Sequence, residues 1–190
     1  MTTKRYVLVA LSLAAICLAT CFAILQTRGP KVAPVRPWEV DADPLGPRIA
    51  WPATDYAEVR GYIYNLNGDL AASLLVDGKL NKSVHNPEGE VLNESQVEQL
   101  LEAVARPYPD LGEFMCYEPR HGFVFYDATQ KPVAFVEICF DCLGFQVSPD
   151  LPHRINLVRL KQLCQELNLP VFRDYKKYRD LMPQNSATLK

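Results

Sequence analysis

The chain has 190 residues, with 20 basic against 22 acidic side chains, a formal net charge of −2 and 48% hydrophobic residues, enough for one globular domain. The charge is uneven: residues 1–36 hold Lys4, Arg5, Arg28, Lys31 and Arg36 and no acid, which leaves the rest at a formal −7. A domain this acidic argues against a nucleic-acid partner, which demands clustered lysine and arginine.

Tyr6–Leu25 is an uncharged apolar run of about the length that crosses a bilayer, and Lys4 and Arg5 precede it as in an export signal. The run is long for a signal-peptide core and no Ala-x-Ala site follows, so residues 1–26 read as an uncleaved signal anchor, a single transmembrane helix. Leu18-Ala19-Thr20-Cys21 loosely matches a lipoprotein cleavage box, which keeps a secreted or lipoprotein form as the alternative. The flanking positive charges nearly balance; the short leading tail places the domain on the extracytoplasmic side. Residues 27–52 carry six prolines and form a semi-rigid tether. Trp38 and Trp51 dock on the domain or rest at the membrane interface.

The folded domain, residues 53–172, opens with a strand over Glu58–Leu66 that ends at the turn signal Asn67-Gly68. Leu70–Val76 and Lys79–Val84 flank Asp77-Gly78 as a second hairpin. His85 lies in a polar loop. Asn93 then caps a helix with Gln96 three residues later as in a capping box, Leu92 can staple to Val97, and Val97, Leu100, Leu101 and Val104 form its apolar stripe. The helix stops before Pro107. Glu94, Glu98 and Glu102 read as its solvated face.

The centre of the chain is Cys116–Cys142. His121–Asp127 and Val133–Phe140 are rich in aromatic and β-branched residues and pair as a hairpin, with Pro132 in the turn. If Asp127 pairs with Val133, Gly122, Val124, Tyr126, Ala134, Val136, Ile138 and Phe140 share the core face. The other face then opposes Phe125 to Phe135, Phe123 to Glu137, and His121 to Cys139. A slip of one residue would pair His121 with Ile138 and separate the last two.

Cys139-Phe140-Asp141-Cys142-Leu143-Gly144 resembles half of a zinc knuckle, with glycine supplying the positive φ that aims two sulfurs at one ion. Adding Cys116 and His121 completes four ligands suited to a structural zinc ion. Two other readings stay open. Cys139 and Cys142 could form a disulfide, or Cys116 could pair with either, in an oxidising compartment. Alternatively the Cys-x-x-Cys is a redox site with Cys139 or Cys142 as the attacking thiolate, or Arg120 and His121 activate a neighbouring thiol. Glu137 and Arg120 are the candidate supporting groups around any such site. A further reading makes His121 a structural histidine hydrogen-bonded to the Cys116–Arg120 loop.

After the hairpin, Phe145–Val147 continues the sheet, and Ile155–Leu167 forms a helix with Leu157, Leu160, Cys164 and Leu167 on one stripe. Asn168 takes the left-handed cap, and Cys164 is a buried apolar residue. His153 and Arg154 are exposed. Residues 173–190 form a charged tail. The order of elements implies an α+β fold: an antiparallel sheet of β-hairpins with two helices packed on it, preceded by the transmembrane helix. There is no phosphate loop, dinucleotide fingerprint, His-Glu-x-x-His or nucleophile elbow, so the balance is against an enzyme. The expected function is a membrane-tethered extracytoplasmic binding or assembly module for a protein partner, with structural zinc at Cys116, His121, Cys139 and Cys142. The alternatives are a thiol–disulfide protein or a domain whose cysteines are only a structural disulfide.

Overall fold

The computed structural model describes residues 40–112 and 116–182. The expected signal anchor, the start of the tether and the end of the tail lie outside the described residues. Among those described, no helix is long and apolar enough to cross a membrane.

The fold is α+β. Its strands and helices are β1 (Glu58–Ile63), β2 (Leu75–Val76), β3 (Lys79–Leu80), β4 (Glu90–Val91), α1 (Glu94–Val104), β5 (His121–Tyr126), β6 (Pro132–Cys139), β7 (Gly144–Ser148), α2 (Leu157–Glu166) and α3 (Lys176–Asp180). Five strands make one antiparallel sheet in the order β4-β1-β5-β6-β7. β2 and β3 pair separately around Asp77 and Gly78, whose φ values of 51° and 71° suit the twist of a two-residue hairpin.

Both faces of the sheet are covered. On one, Val59, Phe123, Phe125, Val136, Ile138 and Val147 pack against Leu100, Leu101 and Val104 of α1 and Leu160, Leu163 and Cys164 of α2. On the other, Tyr62, Tyr64, Val124 and Tyr126 pack with Leu74, Leu75 and Leu80, so the segment bearing β2 and β3 is a lid over that face. All six residues of β5 are therefore buried, as expected of a strand covered on both sides.

The β5–β6 register departs from the expected one by a single residue. His121 opposes Ile138, Gly122 opposes Glu137 and Phe123 opposes Val136, with an irregularity at Phe125/Tyr126 that brings Tyr126 opposite Pro132. The cause is the turn. Asp127 Oδ1 accepts from the Thr129 amide (2.8 Å), the Thr129 hydroxyl (2.7 Å) and the Lys131 amide (3.0 Å). The Asp127 amide also donates to the Lys131 carbonyl. The loop therefore closes on Lys131, Pro132 begins the strand, and Val133 is the extra residue of a bulge. Because side chains alternate, the slip regroups the faces. Phe123 and Phe125 join Val136 and Ile138 under the helices, while Val124 and Tyr126 join Phe135 under the lid.

The local helix signals hold. Asn93 Oδ1 accepts from the Gln96 amide at 3.0 Å and Gln96 Oε1 accepts from the Asn93 amide at 3.1 Å. α2 starts at Leu157 rather than Ile155 because the Asn156 side chain caps it, accepting from the Arg159 amide. Asn168 has φ 56° and follows its end. Three segments are more engaged than the sequence suggests. The Asp41 carboxylate meets Arg159 and Asn156, and the amides of Leu45 and Ile49 donate to the carbonyls of Pro107 and Ala105. Trp51 docks on the domain, edge-on to Phe125 at 5.3 Å, with its indole N–H donating to the Pro149 carbonyl. Beyond Arg173 the chain forms α3, held by buried Tyr178, whose hydroxyl accepts from the Phe172 amide.

Candidate functional site

Cys139 ends β6 and Cys142 lies in the turn to β7, and the two are joined by a disulfide with a Cα–Cα separation of 5.5 Å. Both are buried, at 2% and 0% exposure. The glycine's role differs from the expected one. Leu143 takes the positive φ, 54°, whereas Gly144 supplies space: a Cβ there would stand 2.9 Å from the Tyr117 ring and 3.3 Å from Cys142 Sγ. A bridge between residues three apart restrains only a short loop, worth about 2 kcal/mol on the chain-entropy model. It is a local staple of the β6–β7 turn.

Cys116 is a free, exposed cysteine, and Cys139 Sγ lies 4.0 Å from its main-chain oxygen. His121 is elsewhere. The register turns it onto the helix face, where it is 1% exposed, its Nε2–H donates to the Pro170 carbonyl at 3.0 Å, and its ring meets Phe140 and Tyr178. Burial pushes the imidazole down to about 4, and the charge of Arg120 adds to this against the pull of the Pro170 carbonyl. His121 is thus a neutral structural group.

The four expected zinc ligands do not converge: two sulfurs are bonded to each other and the imidazole is committed to Pro170. Among the described residues no group of three or more His, Cys, Asp or Glu is arranged to hold a metal. The pairing of Phe123 with Glu137 and of His121 with Cys139 is corrected with the register, and so is the placement of Glu137 beside His121.

Glu137 lies on the lid face and is fully buried. Its Oε1 accepts from the Ser73 hydroxyl at 2.7 Å and the Leu74 amide at 2.8 Å, while Oε2 has no hydrogen-bond partner. Desolvation raises the carboxyl above its usual range, opposed by those hydrogen bonds. Glu137 therefore ties the lid to the sheet. Arg120, 4% exposed, pairs with Glu118 (2.8 Å) and Asp141 (3.6 Å) and lies 5.0 Å over the Tyr178 ring. It joins the disulfide turn to α3, a structural clamp rather than an activator of a thiol. His85 is exposed, as expected. His153 is only half-exposed, its Nε2–H donating to the Val104 carbonyl at 3.1 Å.

One feature of the surface carried no sequence signal, because it forms from distant segments. Val40, Tyr108, Leu111, Leu143, Phe145 and Leu157 line a small, mostly apolar groove that is open to solvent. Leu143 belongs to the disulfide turn, so the staple fixes one wall of the groove. No family model matches this sequence, and no curated protein or solved structure shows a match to it.

Proposed function

We propose that the chain is a membrane-tethered extracytoplasmic binding or assembly module in which Cys139–Cys142 is a structural disulfide, not half of a zinc site. The disulfide carries this reading. Such bonds persist in oxidising compartments, and the apolar run Tyr6–Leu25 would deliver the domain to one. The burial of both sulfurs favours a staple over a site that meets substrate thiols. The partner is a protein, and the face assigned to it is the groove beside the stapled turn, whose lining suits an apolar segment.

Exposed Cys116 provides the test of placement. A membrane-impermeant maleimide added to cells with a sealed plasma membrane should label the chain, and Cys116→Ser should remove that labelling at this position. Labelling of Cys116 only after lysis would contradict the extracytoplasmic assignment. A photo-crosslinking residue at Leu111 in the groove should give a discrete protein adduct that the same residue at exposed Leu70 does not. Identical adducts at both positions would remove the groove from the account.

A further inference from the structure

We propose that the Glu137 carboxyl is a proton-operated latch on the lid that bears β2 and β3: the lid closes over the neutral acid and loosens when the acid ionises. The device works on the lid face of the sheet, and uses neither the groove nor the disulfide.

The lid is held to the rest of the domain through consecutive residues. The Ala71 amide donates to the Tyr117 carbonyl at 2.8 Å, and the Tyr64 hydroxyl reaches the Ala72 carbonyl at 3.5 Å. The Ser73 hydroxyl and the Leu74 amide both donate to Glu137 Oε1, at 2.7 and 2.8 Å. Glu137 thus takes the two neighbouring links that lead into β2, and it is the one carboxyl among these partners. Closure is opposed at the same place by the backbone: Ala71 is held at φ 54°, in the left-handed region that a Cβ disfavours.

The placing of the donors suits an acid better than a carboxylate. An ionised carboxyl is acceptor-only at both oxygens, whereas a neutral one carries a hydrogen on one of them. Both lid donors go to Oε1, and Oε2 has no hydrogen-bond partner. Among the described residues the groups that face Glu137 bring no positive charge. They are Ser73, Leu74 and Leu75 from the lid and Tyr64 just after β1, with Tyr117 near Tyr64. Gly122 opposes it on β5 and Gln146 on β7. A charge on this fully buried side chain therefore loses its hydration and gains no cation. Desolvation accordingly raises the carboxyl, against the bonds from Ser73 and Leu74.

Opening the lid hydrates Glu137 and returns it to its ordinary range, so the closed lid binds the proton more tightly than the open one. Closure is fully present in acid, below the ordinary carboxyl range, and weakens as the pH rises until the closed form has ionised as well. The opening equilibrium changes by about tenfold for each tenfold difference in proton affinity between the two forms. What opens is the face lined by Tyr62, Tyr64, Val124 and Tyr126.

The test is amide hydrogen exchange of the full chain over a series from about pH 4 to about pH 8, corrected for the intrinsic pH dependence of exchange, in the parent and in Glu137→Gln. Glutamine keeps a carbonyl acceptor for Ser73 and Leu74 and does not ionise. In the parent, protection of the Ala71 and Leu74 amides should fall by about tenfold or more as the pH rises; in Glu137→Gln it should stay at the parent's acid value. Carbon-13 carboxyl resonance of the parent needs no variant. It should show one glutamate titrating above the others, over the range in which Leu74 loses protection. Equal pH dependence in the two chains, a lid that tightens as the pH rises, or every glutamate titrating in the ordinary range overturns the latch. Each of these results leaves the disulfide and the groove untouched.

Discussion

Replacing His121 by glutamine tests the account of the buried ring through its pH dependence. Glutamine can still donate to the Pro170 carbonyl but does not titrate between neutrality and acid. In the unfolded chain the imidazole binds its proton near 6.5, whereas in the fold burial holds it at about 4. Between these values the unfolded state binds more protons, so the contribution is fully present above about 6.5 and is lost as the pH falls toward about 4. At about 1.36 kcal/mol per tenfold in proton affinity, that loss is roughly 3 kcal/mol. Glu137 and Asp141, both raised by burial, slope the opposite way, but they are present in both proteins and cancel in the difference. Urea unfolding should be followed by tryptophan fluorescence, to which buried Trp51 contributes, at a series of pH values for both chains. The stability advantage of the parent should shrink by roughly 3 kcal/mol between about pH 7 and about pH 4. A difference that stays constant across that window would refute the description of His121 as a buried neutral group.

Glu137→Gln should stabilise the domain at neutral pH and lose that gain in acid, where the parent carboxyl is also neutral, because burial raises it. Glu137→Leu should instead cost about 1–3 kcal/mol by leaving the Ser73 hydroxyl and Leu74 amide unpaired; the same urea series distinguishes the two. Gly144→Ala should cost about 1–3 kcal/mol through overlap with the Tyr117 ring, read as a lower denaturant midpoint. Arg120→Ala leaves Glu118 and Asp141 without their cation and uncovers Tyr178. It should cost about 1–2 kcal/mol, mainly through the lost packing of the Arg120 stem and its contact with the Tyr178 ring, and raise hydrogen exchange across α3, and unchanged exchange there would contradict its role as a clamp.

What could be read from the sequence was what is decided locally. The capping box at Asn93 and Gln96 depends on four consecutive residues, and the Asp77-Gly78 hairpin on two, so both were recoverable. The β5–β6 register was not, because it is set by three donors converging on one carboxylate of Asp127 and by a bulge that absorbs Val133. The four-ligand site depended on that register: a shift of one residue put His121 with Pro170 and left the two sulfurs of the Cys-x-x-Cys for each other. The lid over the second face was hidden as well, since Ala71, Ala72 and Ser73 carry little apolar signal and its attachment runs through a buried glutamate. Trp51 and the groove likewise draw on residues about 100 apart in the chain.

The most direct test of the central claim is a non-reducing intact mass and peptide map of the full chain, exported to an oxidising compartment and never exposed to reductant. The account predicts a bond between Cys139 and Cys142, two hydrogens lighter than the reduced pair, with Cys116 and Cys164 recovered mainly as thiols. A chain that carries one zinc ion and keeps Cys139 and Cys142 as thiols until chelation would contradict it.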